Sequence, residues 1–190
     1  MGRSQLEKQK THEKIVETAS KRLREEGLEG IGVADLMKEA GLTVGGFYKH
    51  FASRDDLVAE AIQAASDSWG HKLEAEGIDP AKMTAADVAD RYLSAYHRDN
   101  PGEGCPFAAL TSDISRSGDK ARGIATQRLQ RNFEALASKA SGADAERRRK
   151  AVIAFAMMAG GVGLARISSD EALSAEILET VRDFVAAIDK

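Results

Sequence analysis

The segment "AGLTVGGFYKHFASRDDL", residues 40–57, sets two adjacent glycines, Gly45 and Gly46, inside what otherwise reads as a short helix. A glycine in a helix interior costs about 1 kcal/mol relative to alanine, so the pair must serve something other than local stability. Gly41 stops the helix before it and Ser53 is suited to cap the helix after it. The chain here is confined to two short helices joined by a tight glycine-containing turn.

The rest of the sequence reads as helices as well. Apolar residues Ile15, Val16, Ala19 and Leu23 recur at helical spacing, which predicts a first helix over 11–26 with Thr11 as N-cap and Gly27 as its end. A second helix is expected over 33–40 behind Gly32. A third is expected over 44–50, capped by Thr43, with Phe47 and Phe51 one turn apart on its inner face. A long fourth helix follows Ser53 and continues past Trp69, with Asp55 and Asp56 in its first turn where they complement the helix dipole. "EGIDPAKMT", residues 76–84, is the best linker candidate and ends on Thr84, a further N-cap; "RDNPGEG", residues 98–104, is the next break. Helices are then expected over 105–115, 119–139, 145–167 and 171–188. No strand-like alternation, repeat or low-complexity tract interrupts this. The fold expected is all-α: an N-terminal three-helix helix-turn-helix domain, residues 1–54, joined by a long helix to a C-terminal helical domain, residues 55–190.

Composition narrows the classes. The chain of 190 residues is 43% apolar and 30% charged with three prolines, which fits a helix-rich globular protein. No apolar run approaches the roughly 20 residues of a membrane span, and the N-terminus lacks the apolar core of a signal peptide, so a cytoplasmic location and no membrane partner are expected. Cys105 is the single cysteine, and the four histidines show no zinc-ligand spacing; no metal and no cofactor are expected. The net charge of −3 divides unevenly. Residues 1–54 carry 10 Lys/Arg against 8 Asp/Glu, and the remainder is acidic.

A helix-turn-helix reads DNA with the first residues of its second helix in the major groove. Gly45 and Gly46 would let that backbone approach a phosphate or base edge, leaving readout to Thr43, Val44, Lys49 and His50. Tyr48 and His50 can donate to phosphate oxygens. Arg54, with the amides behind Ser53, offers a second phosphate site. A competing reading makes the glycines a plain loop, Tyr48 a half-buried aromatic and Arg54 a solvated charge. Arg3, Lys8 and Lys10 form either a flexible minor-groove arm or a frayed terminus.

"VADLMKEAGLTVGGFYKHFASRDDLVAEAI" resembles the DNA-binding region of the tetracycline-repressor (TetR) family of bacterial transcription regulators, with its "AG" turn, a short recognition helix ending in Tyr-x-x-Phe, and a capped helix after it. The resemblance implies that Tyr48 contacts phosphate, that Thr43 caps the recognition helix and that Arg54 stands where relatives often carry lysine. Gly32 and Gly46 depart from the hydroxyl residues common at those positions, so no relative's operator carries over. The resemblance also implies a ligand-binding and dimerisation unit in the C-terminal half, and hence a homodimeric repressor of a palindromic double-stranded DNA operator that a small molecule releases.

The residues bear on that half independently. Phe155, Ala156, Ala159, Gly160 and Gly163 on one helix, and Ile177, Val181, Phe184 and Ile188 on the next, form stripes suited to a four-helix interface between subunits; alternatively both stripes face only their own core. Trp69, Leu73, Tyr92, Tyr96, His97, Cys105, Phe107, Phe133, Met157 and Met158 are candidates for the lining of an effector cavity or for plain core. Cys105 precedes Pro106 at a helix start, where the dipole would lower its pKa and make it a target for a thiol-reactive inducer; the other reading is a small residue that only packs. No phosphate loop and no Ser-His-Asp or Cys-His arrangement supports an enzyme. A DNA-binding protein without an effector, or an all-α ligand carrier, completes the alternatives.

Overall fold

The computed structural model describes residues 2–29 and 32–188, with side chains from residue 5 onward. All regular structure among the described residues is helical: α1 (Gly2–Glu26), α2 (Val33–Glu39), a 3-10 segment (Val44–Lys49), α3 (Arg54–Ala75), α4 (Ala85–Tyr92), α5 (Ala95–Asp99), α6 (Pro106–Arg116), α7 (Asp119–Ala137), α8 (Asp144–Ile167) and α9 (Glu171–Ala187). Short 3-10 turns at Pro80–Lys82 and Pro101–Glu103 occupy the two expected breaks.

Local signals set most of the boundaries. Gly27, Gly41 and Gly77 end α1, α2 and α3 with φ of +79°, +77° and +72°, a region that residues with a Cβ rarely adopt. The Ser53 hydroxyl accepts from the Asp56 amide at 3.1 Å, and Thr84 with Asp87 closes a reciprocal capping box at the start of α4. Thr11 is no N-cap. It lies in the middle of α1 and its hydroxyl donates to the Glu7 carbonyl, because residues 2–10 continue the helix without an apolar stripe to announce it. Lys8 and Lys10 are therefore exposed side chains on a helix and not part of an arm; the side chain of Arg3 lies outside the described residues.

One apolar core runs through the chain. In the head, Phe47 is 1% exposed and packs on Phe51 with ring centroids 5.3 Å apart, over Met37, Leu36, Leu57 and Ile15. Burying Phe47 is worth about 1.5–3 kcal/mol, comparable to the cost of the two glycines beside it. α3 serves both halves: Leu57, Val58, Ala61 and Ile62 complete the head core, and Leu73 is buried at the far end. α1 packs along α3 and also touches α6 and the turn Pro101–Glu103, while α7, α8 and α9 pack side by side.

α8 corrects two expectations. An 18-residue window of it reaches a mean hydropathy of 1.5 with few charges, so by length and composition it does match a membrane span. In this fold its apolar residues are divided between two faces. Ala151, Phe155, Met158, Val162 and Ala165 point into the core, whereas Ile153, Ala156, Gly160, Leu164 and Ile167 lie on the outside at spacings of three and four. Phe155, expected at a subunit interface, is thus a core residue. The glycine that permits close packing within the chain is Gly161: a Cβ there would lie 3.2–3.3 Å from Leu93 and Val181, but one at Gly160 would meet nothing within 4 Å. Gly161→Val should cost about 1–3 kcal/mol in urea unfolding, through overpacking against α9 and Leu93. Unchanged stability would remove the close contact from this account.

Candidate functional site

Val44–Lys49 forms a 3-10 segment where an α-helix is expected. Gly46 donates to the Thr43 carbonyl and His50 to the Phe47 carbonyl, both at 2.9 Å. Two glycines in six residues remove the α preference, and the Thr43 side chain makes no capping bond. The result is a compact bump anchored by buried Phe47. Thr43, Val44, Gly45, Tyr48 and Lys49 are exposed on it, Tyr48 at 76% and Val44 at 50%. Neither Gly45 nor Gly46 has positive φ. A Cβ on Gly46 would make only ordinary contacts with Met37 and Thr43, and one on Gly45 would meet no atom within 4 Å. The fold itself does not require these glycines. They leave bare backbone on the surface, a property that matters only to something approaching from outside.

Two other expected contacts are engaged within the chain. Arg54 donates to the Leu28 carbonyl and lies near Glu29, bracing the connection after α1. His50 is half-buried; burial, with His12, Lys8 and Lys49 nearby, lowers its pKa, and its Nδ1 has no partner among the described residues. His12 stacks on Phe51 and is 2.6 Å from Glu60, tying α1 to α3.

The C-terminal half contains two adjoining cavities that share Trp69, Leu73 and Gly104. The first, about 440 Å³, is walled by Trp69, Leu73, Tyr92, Cys105, Phe107 and Met158, with Phe155, Met83 and Leu136 closing it. The second, about 580 Å³, holds Tyr96 and His97 among charged residues that already pair, Arg91 with Glu76 and Lys72 with Glu103. Phe133 and Met157 line neither. Phe133 packs on Phe155 with Arg148 over its ring. Ile177 and Val181 pack partly against the core, while Phe184 is 57% exposed and Ala159 and Gly163 are intermediate.

Residues 97–105 form a polar cluster beside both cavities. His97 is buried, its Nδ1 is 2.6 Å from the Tyr92 carbonyl, and its Nε2 accepts from the Cys105 amide at 2.9 Å. Those two partners fix a neutral ring protonated on Nδ1. Burial pushes its pKa down to about 4, assisted by Arg166 and Arg24 and opposed by the Tyr92 carbonyl. Gly104 must be glycine here, since a Cβ would lie 2.5 Å from the imidazole. Arg166 donates to the carbonyls of His97, Arg98 and Ala108. Burial raises the Cys105 thiol despite nearby amides and Arg24, which reverses the expected lowering: desolvation outweighs the helix start.

Sequence reasoning missed Arg24. It is 7% exposed on α1, and its guanidinium donates to Gly104 O at 2.7 Å, Ser20 O at 2.9 Å, and the hydroxyls of Ser68 and Ser20 at 3.3 Å. It therefore links the head helix to the residue before Cys105. The 80 residues between the partners leave no local signal for this bond.

This architecture, a small three-helix head with a glycine-exposed turn on a helical body, defines a helix-turn-helix DNA-binding class. Residues 15–61 match the family described as bacterial regulatory proteins, tetR family, so the head carries that family's DNA-binding region. The HTH-type transcriptional regulator PksA of Bacillus subtilis is 30% identical over 70 residues, 37% of this chain and 34% of that one, so the match spans about a third of that relative's length. Three solved structures share the fold over nearly the whole chain. Escherichia coli NemR in its reduced form has a TM-score of 0.75 and 19% identity, covering 95% of this chain and 97% of that one. A TetR-family transcriptional regulator from Cytophaga hutchinsonii has 0.75 and 21%, covering 96% of each. A TetR transcriptional regulator from Chloroflexus aurantiacus has 0.75 and 22%, covering 95% and 94%.

Protonating His97 would set an N–H against the Cys105 amide. The folded pKa lies below the ordinary 6.5, so the unfolded chain binds the proton first and stability falls as pH drops from about 6.5 to about 4. The expected loss is about 3 kcal/mol. Urea unfolding across that range at fixed protein concentration should show this loss in the wild type, and His97→Gln should show correspondingly less. Parallel pH profiles would refute the assignment.

Proposed function

We propose that this protein is a DNA-binding transcriptional regulator and not an enzyme: a cytoplasmic homodimeric repressor that binds an inverted-repeat operator and leaves it when a small molecule occupies the C-terminal half. The head is residues 1–54 and the regulatory unit residues 55–190. The observation that carries this reading is the exposed surface of Thr43, Val44, Gly45, Tyr48 and Lys49, where the fold has no need of Gly45. Val44 and Lys49 are placed to meet base edges, and the Tyr48 hydroxyl to meet phosphate, which positions the head without reading sequence.

The outward stripe Ile153, Ala156, Gly160, Leu164 and Ile167 of α8, with Leu173 and Phe184 of α9, supports a subunit interface. Small residues at its centre let a partner helix approach, and the large ones surround it. Repression needs two heads at a fixed separation, because half-sites lie about one helical turn of DNA apart.

Release is a linkage effect. An effector that prefers the DNA-incompetent arrangement with a coupling of about 1–3 kcal/mol lowers operator affinity about 5- to 150-fold. The contact that can carry it is Arg24 to Gly104, since Gly104 borders both cavities and Arg24 sits on the head helix. The raised Cys105 pKa favours occupancy of the cavity over attack on the thiol as the trigger.

The test begins with selection of DNA fragments by the purified protein at physiological salt, which should enrich an inverted repeat preferred about a thousandfold over scrambled DNA. Gly45→Leu should then abolish operator binding while urea stability stays within about 0.5 kcal/mol of wild type. Tyr48→Phe should weaken operator and scrambled DNA alike. Full operator affinity in Gly45→Leu would sink the proposed interface.

A further inference from the structure

The 440 Å³ cavity carries an unbalanced charge on its wall. No carboxylate lines it among the described residues, whereas Arg128 and Lys139 both do. The two cations are not equivalent. Arg128 forms an ion pair with Asp67, which lies outside the lining, at 2.8 Å, so its charge is matched. Lys139 has no carboxylate within ion-pair reach among the described residues, and its ammonium donates to the carbonyls of Pro80 and Met83 at 2.8 and 2.6 Å. Asp87 is held low by the Thr84 amide and hydroxyl, with the more distant Lys139 charge adding least. One positive charge on this wall is therefore left without a counter-ion, and one of its three N–H donors is open.

Lys139 sits at the rim. It is half-buried on α7 beside exposed Ser138, and the turn it grips is exposed at Pro80 and Ala81. A charged ligand group held there keeps part of its hydration, which lowers the cost of pairing it. Asn132, Leu136 and Lys139 share one face of α7 along the cavity, and Trp69, Leu73, Phe107, Phe155 and Met158 make the remaining wall apolar. The lining is thus amphipathic, with a cation at the rim and an apolar interior. A dianion would bring a second charge with no free counter-ion, and a cation would meet only like charges on the lining.

We propose that this cavity takes a monocarboxylate with an apolar body, its carboxylate paired with Lys139 and its body against the aromatic wall. The proposal rests on the reading of this cavity as the effector site, and it is tested separately from DNA release.

The full-length protein is titrated calorimetrically with decanoate, decan-1-ol and decylammonium, which share one chain and differ in the charge of the head group. Decanoate should bind about 3- to 30-fold more tightly than decan-1-ol, and decylammonium should bind most weakly. Lys139→Gln should make decanoate and decan-1-ol equal while leaving decan-1-ol within about twofold of wild type, and Lys139→Arg should keep the preference. Gly70→Leu should abolish binding of all three, because a Cβ at Gly70 meets no atom within 4 Å and the new side chain can fill the cavity without moving its wall. No binding of decanoate, equal binding of the alcohol to the wild type, a preference that survives Lys139→Gln, or binding that survives Gly70→Leu would each overturn the proposal. If decanoate binds with this selectivity yet leaves affinity for the enriched inverted repeat unchanged, the ligand class stands and the effector reading falls.

Discussion

The Arg24 guanidinium is the point at which the two halves of the molecule become one structure. A cation that is 7% exposed with no carboxylate in ion-pair reach among the described residues is unfavourable unless its donors are satisfied, and here four hydrogen bonds to α1, α3 and the Gly104 turn satisfy them. Two of the acceptors are backbone carbonyls, so the bond depends on where the chain runs. Moving Gly104 relative to α1 leaves a buried charge under-solvated, and that penalty resists independent motion of head and body. A contact of this kind has two discrete conditions, made or broken, which is what a linkage mechanism requires.

The turn that Arg24 grips is held from its other side by His97. The neutral ring joins the Tyr92 carbonyl to the Cys105 amide, so the end of α4 and the start of α6 share one rigid bridge. Tyr92 therefore belongs both to the cavity lining and, through its carbonyl, to the bridge. A ligand that shifts Tyr92 shifts His97, then Cys105 and Gly104, and the displacement arrives at Arg24. Arg166 fixes the carbonyls of His97 and Arg98 at the start of the same turn.

Much of this was legible in the sequence wherever the determinant is local. The Ser53 and Thr84 caps, the glycine stops at 27 and 41, and the four C-terminal helices depend on residues within one turn of each boundary, and they fall within a few residues of expectation. What failed depends on tertiary context or on weak local signal. Residues 2–10 form helix without an apolar stripe; Val44–Lys49 tightens to 3-10 geometry; α5 is too short to show periodicity. Cys105 shows the limit most directly, because its helix-start position argues for a lowered pKa and burial by distant residues decides the opposite sign. The Arg24–Gly104 bond spans 80 residues and has no sequence signature at all.

α8 carries the remaining argument, because its glycines divide the work by direction. Gly161 faces Leu93 and Val181 and admits α9, whereas Gly160, one residue earlier, faces outward with Ala156 and Leu164. At 100° per residue, Phe155, Met158 and Val162 lie on nearly the opposite side of the helix from that outer stripe. One rigid helix thus presents a cavity wall on one side and the proposed subunit face on the other. Packed helices shift as bodies and do not deform continuously. A ligand that moves Phe155 or Met158 must therefore also reorient the proposed subunit face, in parallel with the route through Tyr92 and Arg24.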